Sequence, residues 1–229
     1  MKKIGIVGGI GPASTLDYYS GIINGYRGKT SSENYPKIVI DSINMNEMLS
    51  YVSDEKWEDL VNLLLKSIKN LANAGAEMAA IASNTPHIVF DRVQKLSALP
   101  LISIVEETCR YAQCKKCKKV VVIGTRFTMS SGLYSKAFQK YDIDAVVPTE
   151  DEQAEIHGII FPKLEDGIID PIDKQKMLAL VTRLLAEHKA DGLILGCTEL
   201  PLMIKENDLD TIMMNTTQIH IDAIVNAIC

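Results

Sequence analysis

The sequence contains no run of the roughly 18 consecutive apolar residues that a membrane span requires. It also has no long basic stretch: Lys115-Lys116-Cys117-Lys118-Lys119 is short and reads as a solvated loop ahead of a strand. With 24 Lys and Arg against 29 Asp and Glu, the net charge is −5, which leaves no electrostatic footprint for nucleic acid. The expected partners therefore include neither membrane nor nucleic acid. Cysteine is scarce, with five residues at 109, 114, 117, 197 and 229. Met1-Lys2-Lys3 runs straight into an apolar strand with no leader pattern, so a cytoplasmic chain without a disulfide framework is expected. Cys114-x-x-Cys117 has no second Cys pair or His cluster to complete a tetrahedral metal site, so no metal is expected. Charged residues make up only 23% of 229 residues against 47% hydrophobic, which excludes a disordered chain.

What is present is a repeat. Ile4-Gly5-Ile6-Val7-Gly8-Gly9 is echoed 116 residues later by Val120-Val121-Val122-Ile123-Gly124-Thr125. Ile81-Ala82-Ser83-Asn84-Thr85 is echoed 114 residues later by Leu195-Gly196-Cys197-Thr198-Glu199. Two separate features sharing nearly one offset indicate a duplicated α/β half. Ser83 and Cys197 are then equivalent positions, which suits chemistry on both faces of one atom.

Strand and helix patterns alternate, as in a parallel sheet covered on both faces. Strands are predicted near 3–8, 37–43, 78–83 and 101–104, and again near 119–124, 144–148, 191–196 and 211–214. Trp57, Leu60, Val61, Leu64, Leu65, Ile68, Leu71 and Ala72 share one helical face, with Gly75 as the stop. Met177, Leu178, Val181, Leu184 and Leu185 mark the matching helix in the second half. A terminal helix is predicted to carry Ile219, Ala223, Ile224 and Ala227. The expected fold is α/β, with two pseudo-symmetric Rossmann-like lobes, each a four-stranded, mainly parallel sheet flanked by helices. The expected lobes are 1–98 plus 208–229, and 99–207.

Four turns follow the strands. Gly8-Gly9-Ile10-Gly11-Pro12 opens a helix at Ser14-Thr15, but a dinucleotide fingerprint starting at Gly9 and Gly11 would need glycine at Ser14. Gly28-Lys29-Thr30 ends like a P-loop, yet Ile23 stands where the first glycine belongs. Three roles stay open for the Gly-rich turn: a carboxylate held by backbone N–H groups and the Ser14 and Thr15 hydroxyls, a nucleotide, or a purely structural turn. Cys197 ends an apolar strand, where open α/β sheets place ligands. It is either a reactive thiol or a small buried residue. Ser83-Asn84-Thr85-Pro86-His87 is the matching turn, with Asn84 and Thr85 as donors and His87 as either general base or capping group. Thr125 and Thr128 complete the set.

Together, Gly-Gly-Ile-Gly-Pro at 8–12, Ser-Asn-Thr-Pro-His at 83–87, Gly-Thr-Arg-Phe-Thr-Met at 124–129 and Gly-Cys-Thr-Glu-Leu at 196–200 resemble the cofactor-independent aspartate/glutamate racemases over essentially the whole chain. The resemblance implies two lobes with the site between them, and one cysteine from each lobe acting on opposite faces of the substrate α-carbon. It also implies no cofactor, a homodimer, a small acidic amino acid as ligand, and Asn84, Thr85 and Thr198 on the α-carboxylate. Gly11, Ser14, Thr15, Thr125, Thr128, Lys163 and Glu199 complete the expected binding set, around catalytic Cys197 and Ser83.

Two departures stand out against that pattern. Ser83 occupies the place of the first cysteine. The Arg and Lys that hold a side-chain carboxylate are also missing: Asn44 to Tyr51 contains no Arg, and Glu165 stands near the Lys position. Lys163, His157 or Arg126 are the candidates to replace them. The alternatives to a racemase are a single-cysteine lyase resembling arylmalonate decarboxylases, and an amino-acid-binding member whose Cys→Ser change, natural or introduced, has removed turnover.

Overall fold

The computed structural model describes residues 1–31, 33–164 and 167–229. Glu165 lies outside the described residues. All eight expected strands form: β1 (Ile4–Gly8), β2 (Ile38–Ser42), β3 (Met78–Ile81), β4 (Leu101–Ile102), β5 (Lys119–Ile123), β6 (Asp144–Val146), β7 (Gly192–Leu195) and β8 (Ile212–Asn215). They build two four-stranded sheets with the same plan, β2-β1-β3-β4 and β6-β5-β7-β8, every pairing parallel. In each sheet the two central strands are buried along almost their whole length, as Ile-Gly-Ile-Val-Gly, Met-Ala-Ala-Ile, Lys-Val-Val-Val-Ile and Gly-Leu-Ile-Leu. Strands covered on both faces need such unbroken apolar runs. The outer strand β2 is partly exposed, and its Ile-Val-Ile-Asp-Ser sequence carries polar groups where water reaches it.

The chain divides into two units. The first comprises Met1–Glu107 with Thr217–Cys229, and the second Thr108–Thr216. The crossings therefore fall later than the expected 98/99 and 207/208. The pairing explains why: β4 completes the first sheet on β3, and β8 completes the second on β7, so each crossing waits until its fourth strand is laid down.

In the first unit the helix Trp57–Asn73 buries Leu60, Val61, Leu64, Ile68 and Leu71. It ends where Gly75 takes φ +84, with Ala76 N–H bonded to Leu71 O and Gly75 N–H to Ala72 O. That pair of bonds satisfies carbonyls left over at the helix end and requires the left-handed turn that glycine adopts freely. The terminal helix Thr216–Ile228 buries His220, Ile221, Ile224, Val225 and Ile228, whereas Ile219, Ala223 and Ala227 are only half-buried. The stripe is rotated from the expected one because of the partner it meets. On the helix Pro12–Thr30, a Cβ at Gly21 would lie 2.8 Å from Ile221 Cδ1, and one at Gly25 would lie 3.0 Å from Val225 Cγ2. Two glycines four residues apart form a groove that selects Ile221 and Val225 to enter it.

In the second unit the helix Pro171–His188 buries Met177, Leu180, Val181 and Leu184 against β5 and β7. Asp170 caps its N-terminus, accepting from Ile172 N–H at 2.9 Å, with Pro171 at the first helical position. No helix among the described residues is long and apolar enough to cross a membrane.

Candidate active site

In both sheets the strand order reverses between the two central strands, and open α/β sheets bind ligands at the carboxyl ends of strands on either side of such a reversal. Those ends are the four turns singled out in the sequence. Each unit thus presents one half-site: the exits of β1 and β3 in the first, and of β5 and β7 in the second.

In the first unit, Gly9 takes φ +83, and a Cβ there would fall 2.3 Å from Ile43 O, so only glycine fits. Its N–H donates to Thr15 Oγ1 (2.9 Å), and that hydroxyl donates to Gly11 O (3.1 Å). Ser14 Oγ donates to Ala82 O (3.3 Å), joining the helix start to the exit of β3. The Ser14 and Thr15 hydroxyls therefore shape the turn instead of standing ready for a carboxylate. The donors the turn presents are the first-turn N–H groups behind Gly11, which no helical carbonyl reaches. Ser83 is half-buried, its N–H bonded to Ile81 O at 2.9 Å. Asn84 is buried, and Thr85 opens the 3₁₀ turn Thr85–Val89.

His87 is buried within that turn. Its Nε2 accepts from Ile104 N–H (3.3 Å), so Nδ1 carries the proton and donates to Ser83 O (2.9 Å). Burial and the neighbouring His220 ring push its pKa down to about 3, and burial pushes His220 down to about 4. A ring held neutral with both nitrogens engaged is a capping group for the turn, not a general base. Both folded pKa values lie below the unfolded value near 6.5. The unfolded chain therefore takes up protons that the native protein refuses. Stability should be full above about pH 6.5 and fall as pH drops, by up to about 1.4 kcal/mol per pH unit for each ring. Urea titrations at pH 7.5, 6.5 and 5.5 should show the midpoint falling with pH. An unchanged midpoint would mean the two imidazoles are not buried neutral.

In the second unit, Gly196 N–H donates to Ile123 O at 2.7 Å, and a Cβ at Gly124 would meet Gly196 O at 3.0 Å. This close backbone approach sets the Cys197 turn against the Thr125 turn. Thr125 caps the short helix Arg126–Ser130, and its Oγ1 lies 3.1 Å from Thr128 Oγ1. Cys197 is 7% exposed. Its thiol donates to Glu199 Oε2 at 2.8 Å, so Glu199, expected to contact substrate, is the hydrogen-bond acceptor of the thiol. Thr198 is half-buried beside them, just ahead of the helix Leu200–Met203.

Lys163 is placed differently from expectation. Its ammonium sits between Asp170 (2.9 Å) and Asp173 (2.8 Å), whose carboxylates hold it above the ordinary lysine range. Its single charge is outweighed by those two aspartates, so it offers no spare charge to a substrate. Arg126 is exposed and makes no ion pair among the described residues. Half-buried His157 has an Nδ1 with no hydrogen-bond partner. Burial, with Arg126 close by, depresses its pKa. No group of three or more His, Cys, Asp or Glu side chains among the described residues is arranged to hold a metal ion.

Residues 7–224 match the Asp/Glu/Hydantoin racemase family, and the chain belongs to that family. It is 27% identical over 202 residues to a broad specificity amino-acid racemase of Bacillus subtilis (strain 168), covering 86% of this chain and 85% of that one. Among solved structures, an aspartate racemase homologue from Pyrococcus horikoshii OT3 superposes with a TM-score of 0.89 at 36% identity, covering 99% of each chain. Glutamate racemase from Aquifex pyrophilus superposes with a TM-score of 0.66 at 25% identity, covering 99% of this chain and 84% of that one. Several curated glutamate racemases are matched over about half their length, 56% for that of Corynebacterium kroppenstedtii and 45% for that of Koribacter versatilis.

Proposed function

We propose that this chain is a cofactor-independent racemase of aspartate or glutamate, or a one-sided variant of one, acting as a homodimer in the cytoplasm. The observation that carries the proposal is the equivalence of the Ser83 and Cys197 turns. They follow the same central strand of two sheets with one plan, and Cys197 alone has a thiol with a carboxylate 2.8 Å away. In this reading the Cys197 proton passes to Glu199, and the resulting thiolate takes the α-proton of the L-enantiomer. The α-carbanion is then protonated from its other face through water held at Ser83. Asn84, Thr85 and Thr198, with the N–H groups behind Gly11, hold the α-carboxylate, and Thr125 and Thr128 line the second half-site. Arg126, assisted by His157, takes the side-chain carboxylate in place of Lys163.

A serine hydroxyl is a far weaker acid than a thiol, whose unperturbed pKa is near 8.5. Exchange of the α-proton should therefore be unequal for the two enantiomers. Incubation with α-deuterated L- and D-forms of aspartate and glutamate should show deuterium lost faster from L. Inertness of both enantiomers of both amino acids would remove the racemase reading and leave a binding protein. The single thiol also favours a second reading, a decarboxylase-like lyase. Release of CO₂ from an α-substituted malonate, without exchange on amino acids, would decide for that one.

A further inference from the structure

The fully buried His220 sits on the terminal helix, 202 residues from Tyr18 in sequence, yet the Tyr18 hydroxyl meets its Nδ1 at 2.7 Å. Its Nε2 lies 2.9 Å from Ile102 O. A carbonyl only accepts, so Nε2 carries the proton and Tyr18 is the donor to Nδ1. Two residues beyond Ile102, Ile104 N–H donates to His87 Nε2, and His87 Nδ1–H donates to Ser83 O. The rings pack as they bond. His220 meets Tyr18 edge-on at 5.5 Å and His87 edge-on at 6.4 Å, and His87 stacks on Phe90 at 4.9 Å. A continuous, largely buried chain thus runs from the helix behind Gly11 to the carbonyl of Ser83. Its middle member comes from the helix that follows β8.

The second unit repeats the device with other residues. Tyr134 stands 116 residues after Tyr18, the same offset as Ile4 to Val120, and is equally buried. Its hydroxyl is hydrogen-bonded to the side chains of Thr108 and Thr216. Thr216 Oγ1 in turn donates to Leu195 O (2.9 Å), two residues before Cys197. Thr108 is the counterpart of His220. Leu101 pairs with Ala79 and Met213 with Leu193 in equivalent registers, and Thr108 and His220 each stand seven residues further on.

We propose that His87 and His220 are positioning residues that hang the Ser83 turn from the terminal helix, with Tyr18 as the anchor, and that Tyr134 with Thr108 and Thr216 does the same for the Cys197 turn. Each turn is thereby tied to a helix that begins behind the fourth strand of a sheet and ends in the other unit. The chain passes from one unit to the other at 107/108 and at 216/217, beside the Thr108 and Thr216 that bind Tyr134, and His220, which binds Tyr18, follows the second crossing on the terminal helix. The catalytic consequence rests on the racemase reading above; the structural content does not.

The test compares His87→Leu, His87→Asn, Tyr18→Phe and Tyr134→Phe with the native protein. Long-range ¹H–¹⁵N spectra of the imidazoles at pH 7.5 should show a neutral Nδ1–H ring for His87 and a neutral Nε2–H ring for His220. In His87→Leu, amide hydrogen exchange across Ser83–Val89 should quicken by about tenfold or more, the scale of one lost buried hydrogen bond. The Cys197–Met203 segment should be unaffected. The rate constant for α-proton exchange should fall by a similar factor at unchanged KM. His87→Asn, whose amide N–H can replace Nδ1–H toward Ser83 O, should restore most of both. Tyr18→Phe should act like a milder His87→Leu, and Tyr134→Phe should loosen the Cys197 turn only. If His87→Leu fails to fold, Tyr18→Phe, which removes one oxygen, decides by the same measurements. Opposite tautomers, or native amide exchange across Ser83–Val89 in both His87→Leu and Tyr18→Phe, would overturn the proposal. If the native protein is inert toward every acidic amino acid, the racemase reading fails, while tautomers and amide exchange still decide this one.

Discussion

Replacing Cys197 with Ala is expected to remove α-proton exchange, a fall of about 10²–10⁴-fold or more, because a positioned proton-transfer group typically contributes that factor. The thiol lies at the exit of β7 with its proton directed at Glu199 Oε2, 2.8 Å away. Among the described residues, the neighbouring side chains of the second half-site other than Glu199 offer only hydroxyls in its place. Thr125 and Thr128 share a hydrogen bond with each other, and Thr198 offers only a hydroxyl. The fold should survive. The tight backbone contacts belong to Gly124 and Gly196, and removing one sulfur leaves a void far smaller than a Leu→Ala truncation, which costs about 2–5 kcal/mol. Glu199→Gln separates the roles of the pair, since it keeps the shape but cannot take up the thiol proton. Its exchange rate should fall at unchanged KM. Native exchange in folded Cys197→Ala would exclude the thiol from the mechanism.

The eight strands and the four turns after the central ones are legible in the sequence because their signals are local. Unbroken apolar runs mark strands buried on both faces, and the turns after them recur at one offset. Features that depend on what a segment meets in space are not legible in this way. The terminal helix turns its His220/Ile221/Val225 face inward because Gly21 and Gly25 on another helix leave room there. Lys163 loses its expected role because the chain returns Asp170 and Asp173 to it. Ser14 and Thr15 look like ligand-binding hydroxyls in isolation, but Thr15 is engaged by Gly9 N–H and Gly11 O within its own turn, and Ser14 meets Ala82 O only once β1 and β3 are side by side. His220 is the clearest omission. A lone histidine between apolar residues carries no sign of its function until Tyr18 and Ile102 are brought to it. One signal was available: Tyr18 and Tyr134 obey the same offset as the strands, so equivalent buried partners were to be sought for both.

Ser83→Cys is expected to create, or to raise by about 10²–10⁴-fold, two-way racemisation of aspartate or glutamate. The Ser83 and Cys197 turns follow equivalent strands of two sheets with one plan. If Ser83 and Cys197 serve opposite faces of one α-carbon, the native protein has a competent acid/base on one face and a hydroxyl on the other. A hydroxyl can pass a proton through water but is too weak an acid to cycle as a thiol does, with its pKa near 8.5. Because L and D interconvert with an equilibrium constant of one, supplying the second thiol should raise kcat/KM in both directions by the same factor, while α-proton exchange from the D-enantiomer gains most and approaches that from L. The substitution exchanges oxygen for sulfur at a half-buried position, and His87 holds the backbone carbonyl of residue 83, not its side chain, so the turn should keep its place. Circular dichroism at the amino-acid wavelength with each pure enantiomer measures both directions. Calorimetric binding of the same amino acid to both forms shows whether the site is intact. A Ser83→Cys protein that binds normally but gains no racemisation of any acidic amino acid would break the paired-face account. The single thiol at Cys197 would then be sufficient for whatever chemistry the site performs, as in a one-cysteine lyase.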